Sequence, residues 1–274
     1  MKEFDKLDYK LPERKQNSHK GTYGKVLNIA GSKYMPGAAY LSSVAPLKVG
    51  CGYSFLCSEE SVLQAVSYQT QNVVFVPIRD LKKQLCSANV LSIGCGLSTS
   101  FHAKQLFKNA LKNVGDIPVV IDADGLNILA KTKIKLPSQL ILTPHPTEAA
   151  RLLNTTTENV LYDLQNAAKQ ISKKYNCVTV LKNHNTVVCD DERIYINNSG
   201  NSALAKAGSG DVLTGIISGL LAQGLDLFEA CKTGVYLHGV AGELASKKLT
   251  EYGVMASDLI SFLPNAIDQI IQKS

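Results

Sequence analysis

Residues 119–143 run VVIDADGLNILAKTKIKLPSQLILT. This stretch opens with Val119-Val120-Ile121-Asp122 and closes with Leu140-Ile141-Leu142-Thr143, two apolar runs without alternation. A strand with one wet face alternates polar and apolar residues, whereas a strand covered on both faces does not. The two runs therefore predict a mostly parallel sheet between helical layers. Further strands are expected at Val26–Ala30, Tyr53–Cys57, Val73–Ile78, Val90–Ile93 and Val178–Leu181. Val187–Cys189 and Arg193–Ile196, separated by Asp190-Asp191-Glu192, read as an antiparallel hairpin at the sheet edge.

Helical patterns lie between the strands, at Ala38–Val49, Ser58–Val66, His102–Asn113, Val160–Tyr175, Asp211–Ala222, Leu227–Leu249 and Ala256–Ile271. Strands alternating with helices make βαβ units, and the expected architecture is a three-layer α/β/α sandwich. No low-complexity linker or internal repeat divides residues 1–274, which read as one domain.

Composition narrows the function. Hydrophobic residues make up 45% and charged residues 19%, ordinary values for a chain with a sizeable core. The charged opening Met1-Lys2-Glu3-Phe4-Asp5-Lys6 has no apolar run behind it, so no secretory leader is expected. No segment reaches the about 18 consecutive apolar residues of a membrane span. Seven cysteines carry neither C-x-x-C nor a Cys/His zinc spacing, and they read as reduced core residues of a cytoplasmic protein. The net charge of +6 is spread over scattered pairs such as Lys82-Lys83, without a basic run or any Trp. That pattern argues against nucleic acid and suits anionic small molecules.

The sharpest local signal is Ala207-Gly208-Ser209-Gly210-Asp211-Val212-Leu213-Thr214-Gly215. Glycines leading straight into an apolar-periodic helix leave free N–H groups and the positive helix end facing a bare turn, where a phosphate can approach. Asp211 has two readings: an N-cap, or a base that takes a proton from a hydroxyl attacking phosphorus. No Walker loop occurs, because Gly21-Thr22-Tyr23-Gly24-Lys25 has the wrong spacing. Gly94-Cys95-Gly96-Leu97-Ser98-Thr99 lacks the third glycine of a dinucleotide fingerprint, yet it follows a strand, where α/β sheets bind ligands. A plain turn is its other reading. Asp122-Ala123-Asp124-Gly125-Leu126-Asn127 either caps the next helix or orients a ligand, including Mg²⁺ held through water. In Thr143-Pro144-His145-Pro146-Thr147-Glu148 two prolines stiffen the backbone around His145, and Thr147 or Glu148 starts a helix. Lys182-Asn183-His184-Asn185-Thr186 joins two strands, as a hairpin loop or as a set of nucleotide contacts.

Taken in order, these motifs resemble the ADP- or ATP-dependent NAD(P)H-hydrate dehydratases, a branch of the ribokinase-like superfamily. The resemblance runs from about Glu13 to Leu263. It includes Ser18-His19-Lys20-Gly21-Thr22-Tyr23-Gly24-Lys25, Ala30-Gly31-Ser32, Met35-Pro36-Gly37-Ala38-Ala39, Gly94-Cys95-Gly96-Leu97, Asp122-Ala123-Asp124, Leu142-Thr143-Pro144-His145-Pro146, Val180-Leu181-Lys182, Gly200-Asn201 and the Gly208–Asp211 turn. It implies a hydrated-nicotinamide site (NADHX or NADPHX) at Ala39, Gly96, His145 and Asp211, with Asp211 as the catalytic base. It also implies an adenine-nucleotide site at Lys182, Asn183, His184, Asn185, Thr186, Gly208, Ser209 and Gly210. ADP, or ATP, would be the co-substrate, with Mg²⁺ and a homotetramer as in the family and no metal ligands from the protein. Asn183 departs from the family's usual glycine. The rival expectation is a vitamin-precursor kinase of the same superfamily; a silent nucleotide sensor is the other.

Overall fold

The computed structural model describes residues 9–272, so the charged opening Met1–Lys6 lies outside it. Within those residues the nine strands are β1 (Lys25–Ile29), β2 (Tyr53–Ser58), β3 (Val74–Pro77), β4 (Val90–Ile93), β5 (Val119–Ile121), β6 (Leu140–Leu142), β7 (Val178–Leu181), β8 (Val187–Cys189) and β9 (Ile194–Ile196). They join one sheet in the order β3-β2-β1-β4-β5-β6-β7-β8-β9. Pairings through β7 are parallel, and β8 and β9 add as antiparallel neighbours, as the late hairpin predicts. From β1 the chain first builds outward through β2 and β3. It then returns to the other flank with β4, which makes the β1/β4 border a topological switch point.

The helices are α1 (Pro36–Lys48), α2 (Glu60–Ser67), α3 (Leu81–Leu85), α4 (Phe101–Asn113), α5 (Asp124–Leu129), α6 (Pro146–Leu153), α7 (Thr157–Tyr162), α8 (Leu164–Tyr175), α9 (Ser209–Ala222), α10 (Leu227–Gly253) and α11 (Ala256–Ile271). Two apolar clusters sandwich the sheet. One gathers Val26, Val90, Val120, Ile141 and Val180 with Val212, Ile216 and Leu220 of α9 and Val240 of α10. The other gathers Leu27, Leu91, Ile121, Leu142 and Leu181 with Phe107 of α4 and Ile171 of α8. Successive strand residues enter opposite clusters, so each strand is buried on both faces and its run is continuously apolar. The expected three-layer sandwich is therefore the observed fold.

Helix α9 approaches α1 unusually closely. A Cβ on Gly215 would lie 2.8 Å from the Ala45 Cβ, and one on Gly219 would lie 2.7 Å from the Pro46 Cα. Gly215 and Gly219, four residues apart on one face of α9, thus form a packing groove for α1. One helix expectation needs correction. The single helix Val160–Tyr175 is two helices broken at Asp163 (φ −147°, ψ 85°), whose carboxylate accepts the Asn166 N–H and starts α8 afresh. Helix α10 breaks at non-helical Thr250 (φ 62°, ψ 160°), directly after the expected end at Leu249, and a further turn carries it to Gly253. All seven cysteines are free, and all but Cys86 are buried, in keeping with their reading as core residues. Among the described residues no helix is long and apolar enough to cross a membrane.

Candidate active site

Strands β4, β5, β6 and β7 are consecutive in the sheet and parallel, so the residues that follow them emerge along one edge. Asp122 shares a strand face with Val120, and Lys182 shares one with Val180; both valines belong to the cluster beneath α9. The side chains meet there. The Lys182 ammonium donates to Asp122 Oδ1 at 2.6 Å, and the Thr214 hydroxyl of α9 donates to Asp122 Oδ2 at 2.7 Å. Asp122 is only 1% exposed, so it is a buried carboxylate with each oxygen engaged. Burial alone would lower Lys182, but the Asp122 and Glu148 carboxylates outweigh it and raise the ammonium above its usual range.

The capping reading of Asp122 is not what the structure shows. The N-cap of α5 is Ala123, without a side-chain cap, in backbone at φ 49° that non-glycine residues rarely adopt. Asp124 accepts the Ser98 N–H at 2.8 Å and the Asn127 amide at 3.4 Å, and Arg151 donates to Asn127 Oδ1 at 2.7 Å. These contacts tie the turns after β4 and β5 together.

Helix α9 begins beside this cluster. Gly208 is its N-cap, at φ 90°, and a Cβ there would sit 2.6 Å from Leu41. Asp211 is consequently the third helical residue rather than the cap. The Ser209 N–H bonds to the Lys206 carbonyl at 3.3 Å, and the Val212 N–H bonds back to Gly208 at 3.1 Å. Among the described residues no acceptor takes up the N–H of Gly210 or Asp211, which leaves two adjacent amides at the positive end of α9 open to an anion. A Cβ on Gly210 would be 3.3 Å from the Lys182 ammonium nitrogen, so the cation stands beside the first turn of α9.

Asp211 itself is pushed up to about 6, first by burial and then by the Asp122 charge. A carboxylate placed there is a base matched to near-neutral pH. Cys95, Asp122 and Asp211 offer atoms within 4.8 Å of one another. They make a poor Mg²⁺ cage, however. That ion prefers oxygen ligands in octahedral array, whereas burial holds the Cys95 thiol far up and Asp122 already serves Lys182 and Thr214.

The other expected residues fall around this centre. Gly96, at φ 62°, lies against the start of α1, where a Cβ would meet Ala38 at 2.7 Å. Ala39 is completely buried, so it shapes the wall and offers no surface of its own. His145 is the N-cap of α6, which starts at Pro146, ahead of the expected Thr147 or Glu148. Its Nδ1 accepts the Thr147 N–H at 3.2 Å, and its own N–H donates to Glu148 Oε2 at 2.8 Å. Its ring is 48% exposed, and burial, then the Lys182 charge, lowers its pKa. The Lys182 N–H donates to the Pro144 carbonyl at 2.8 Å and holds this loop against β7.

Asn183, His184 and Asn185 are exposed in the hairpin from β7 to β8. Asn183 folds back to accept the His184 N–H at 2.8 Å, and it is not among the residues with positive φ. The position therefore does not demand glycine's backbone freedom. Thr186 closes the loop by donating to the Asn183 carbonyl at 3.1 Å. The sequence reading missed Thr214, although it stands three residues after Asp211 on the same helix face. It also missed Glu148 as a buried partner of His145, because the capping-box spacing also fits an ordinary helix start.

The family model described as NAD(P)H-hydrate dehydratase matches residues 26–265. An ADP-dependent (S)-NAD(P)H-hydrate dehydratase of Neisseria meningitidis serogroup B is 41% identical over 237 residues, 84% of this chain and 80% of that protein. A bifunctional NAD(P)H-hydrate repair enzyme of Moorella thermoacetica is 39% identical over 271 residues, 93% of this chain. This chain spans about half (51%) of the Moorella enzyme's length. Among solved structures, the ADP/ATP-dependent NAD(P)H-hydrate dehydratase of Bacillus subtilis, co-crystallised with ATP and Mg²⁺, superposes with a TM-score of 0.86 at 33% identity. That match covers 95% of this chain and 94% of the other.

Proposed function

Because the chain belongs to the NAD(P)H-hydrate dehydratase family, we propose that it uses ADP or ATP to dehydrate (S)-NADHX and (S)-NADPHX back to NADH and NADPH. The observation that carries this reading is a half-buried carboxylate, Asp211, set beside the open Gly210 and Asp211 amides and the Lys182 cation. A carboxylate next to an anion site is repelled by its ligand unless it takes part in the chemistry. Hydroxide leaves poorly, so the ring's 6-hydroxyl first attacks the terminal phosphorus of the nucleotide and passes its proton to Asp211. The open amides and helix dipole stabilise charge on the phosphoryl group in transit. The nucleotide departs one phosphate shorter. The ring nitrogen's lone pair then breaks the carbon–oxygen bond and expels phosphate, and loss of a proton from the neighbouring carbon restores the dihydronicotinamide.

In this reading Gly96 and His145 border the ring, while Lys182 through Thr186, with Gly208 and Ser209, border the nucleotide. Mg²⁺ would come with the nucleotide, since Cys95, Asp122 and Asp211 make a poor cage for it. The protein acts as a lyase in the cytoplasm, as a single domain and a homotetramer, with no nucleic-acid or membrane partner.

The test is incubation with hydrated NADH and either ADP or ATP, followed by NADH formation and phosphate release. Appearance of both supports the proposal, whereas a stable phosphorylated alcohol supports the kinase reading instead. A base works only when deprotonated. The kcat/KM for hydrated cofactor is therefore expected to rise with pH through about 6, where Asp211 ionises, and to level off above it. A profile flat across that range would remove Asp211 from the rate-determining proton transfer.

A further inference from the structure

His238 lies midway along α10 with the buried Val235, Ala241 and Ala245 at helical spacing on its face, and it is 8% exposed. A polar ring on such a face costs free energy unless its hydrogen-bonding groups are used. Its Nε2 stands 3.0 Å from the Ser209 hydroxyl oxygen and 3.0 Å from the Ser209 carbonyl oxygen. A carbonyl oxygen only accepts, so Nε2 carries the proton and donates. Burial pushes the imidazole down to about 4, which keeps the ring neutral near pH 7 and leaves Nδ1 unprotonated. With Nε2–H as donor, the hydrogen of the Ser209 hydroxyl is not spent on His238.

Ser209 is the first residue of α9, between the left-handed Gly208 and the open amide of Gly210. Beyond the Ser209 N–H bond to the Lys206 carbonyl, the turn offers little else to hold it, since Gly208 and Gly210 have no side chains. We propose that His238 is a positioning residue of the anion cradle: its Nε2–H pins Ser209 and thereby fixes where the Gly210 amide and the Asp211 carboxylate point. This role rests on the nucleotide reading of the cradle given above.

The experiment measures ADP affinity by calorimetry and steady-state kinetics for the full chain and for His238→Leu and His238→Gln. Leucine fills the space without a donor, whereas glutamine offers an N–H at similar reach. His238→Leu is expected to weaken ADP binding and raise the nucleotide KM by at least ~10-fold, because small misplacements of a binding constellation carry penalties of that order. The KM for hydrated cofactor is expected to change less, and His238→Gln is expected to recover most of the loss. A packing role alone would lower the melting temperature and leave ADP affinity indistinguishable from wild type; that result overturns the proposal. If His238→Leu does not fold, His238→Asn, whose amide falls short of Ser209, takes its place with the same two outcomes. Wild-type protein that binds neither ADP nor ATP would overturn the nucleotide reading along with this role, whereas unchanged affinity in the variants overturns this role alone.

Discussion

Replacing Asp211 with asparagine is expected to lower kcat at least ~100-fold, the contribution general-base catalysis commonly makes. The amide has nearly the same shape, sits in the first turn of α9 and does not serve as its cap, so the helix and its open N–H groups persist. What disappears is the ionisable oxygen. Burial and the neighbouring Asp122 raise the carboxyl to about 6, a tuning that asparagine cannot reproduce. Nucleotide affinity is expected to hold or improve, since the variant removes a negative charge from an anion site. Steady-state turnover beside ADP calorimetry separates the two effects. Turnover close to wild type would show that another group takes the hydroxyl proton.

Loss of the Lys182 charge should be the most damaging change to stability. Lys182→Met leaves Asp122, 1% exposed, with the Thr214 hydroxyl as its one remaining side-chain partner among the described residues. Breaking a buried pair by removing one member costs about 3–5 kcal/mol, and the surviving Thr214 bond places this variant near the lower end. The shift would appear as a fall in the urea midpoint without a change in slope. Adding Asp122→Asn to the same variant should restore much of the loss, because the orphaned charge is then gone. If Lys182→Met costs less than about 1 kcal/mol, the value usual for an exposed pair, Asp122 is stabilised by something other than Lys182.

The sheet was legible because burial on both faces imposes continuous apolar runs, and Val119–Ile121 and Leu140–Leu142 could be nothing else in an α/β chain. Short helices were not. Helix α3 spans five residues and α5 spans six, fewer than two turns each, so neither shows a period. The break at Asp163 was hidden because Val160 and Ile171 keep a helical pattern across it.

The same division holds at the site. Gly208, Gly210, Asp211, His145 and Lys182 stood out locally, as bare turns into helices or polar residues at strand ends. Their partnerships did not. Lys182 and Asp122 are 60 residues apart, Thr214 and Asp122 are 92 apart, and Ser209 and His238 are 29 apart. Such pairs become visible only when strand order and face parity bring the segments together. Ala39 is the reverse case, a residue chosen by resemblance that the packing buries completely.

The account turns on whether the ring hydroxyl becomes a phosphate ester before it leaves. Hydrated NADH carrying a heavy-oxygen label in its 6-hydroxyl decides this when it is converted with unlabelled nucleotide and both phosphate and water are analysed. If the hydroxyl attacks phosphorus and Asp211 takes its proton, the label emerges in the released phosphate. Label in bulk water, with unlabelled phosphate, would mean direct loss of hydroxide and would contradict the assignment of the α9 cradle to phosphoryl transfer.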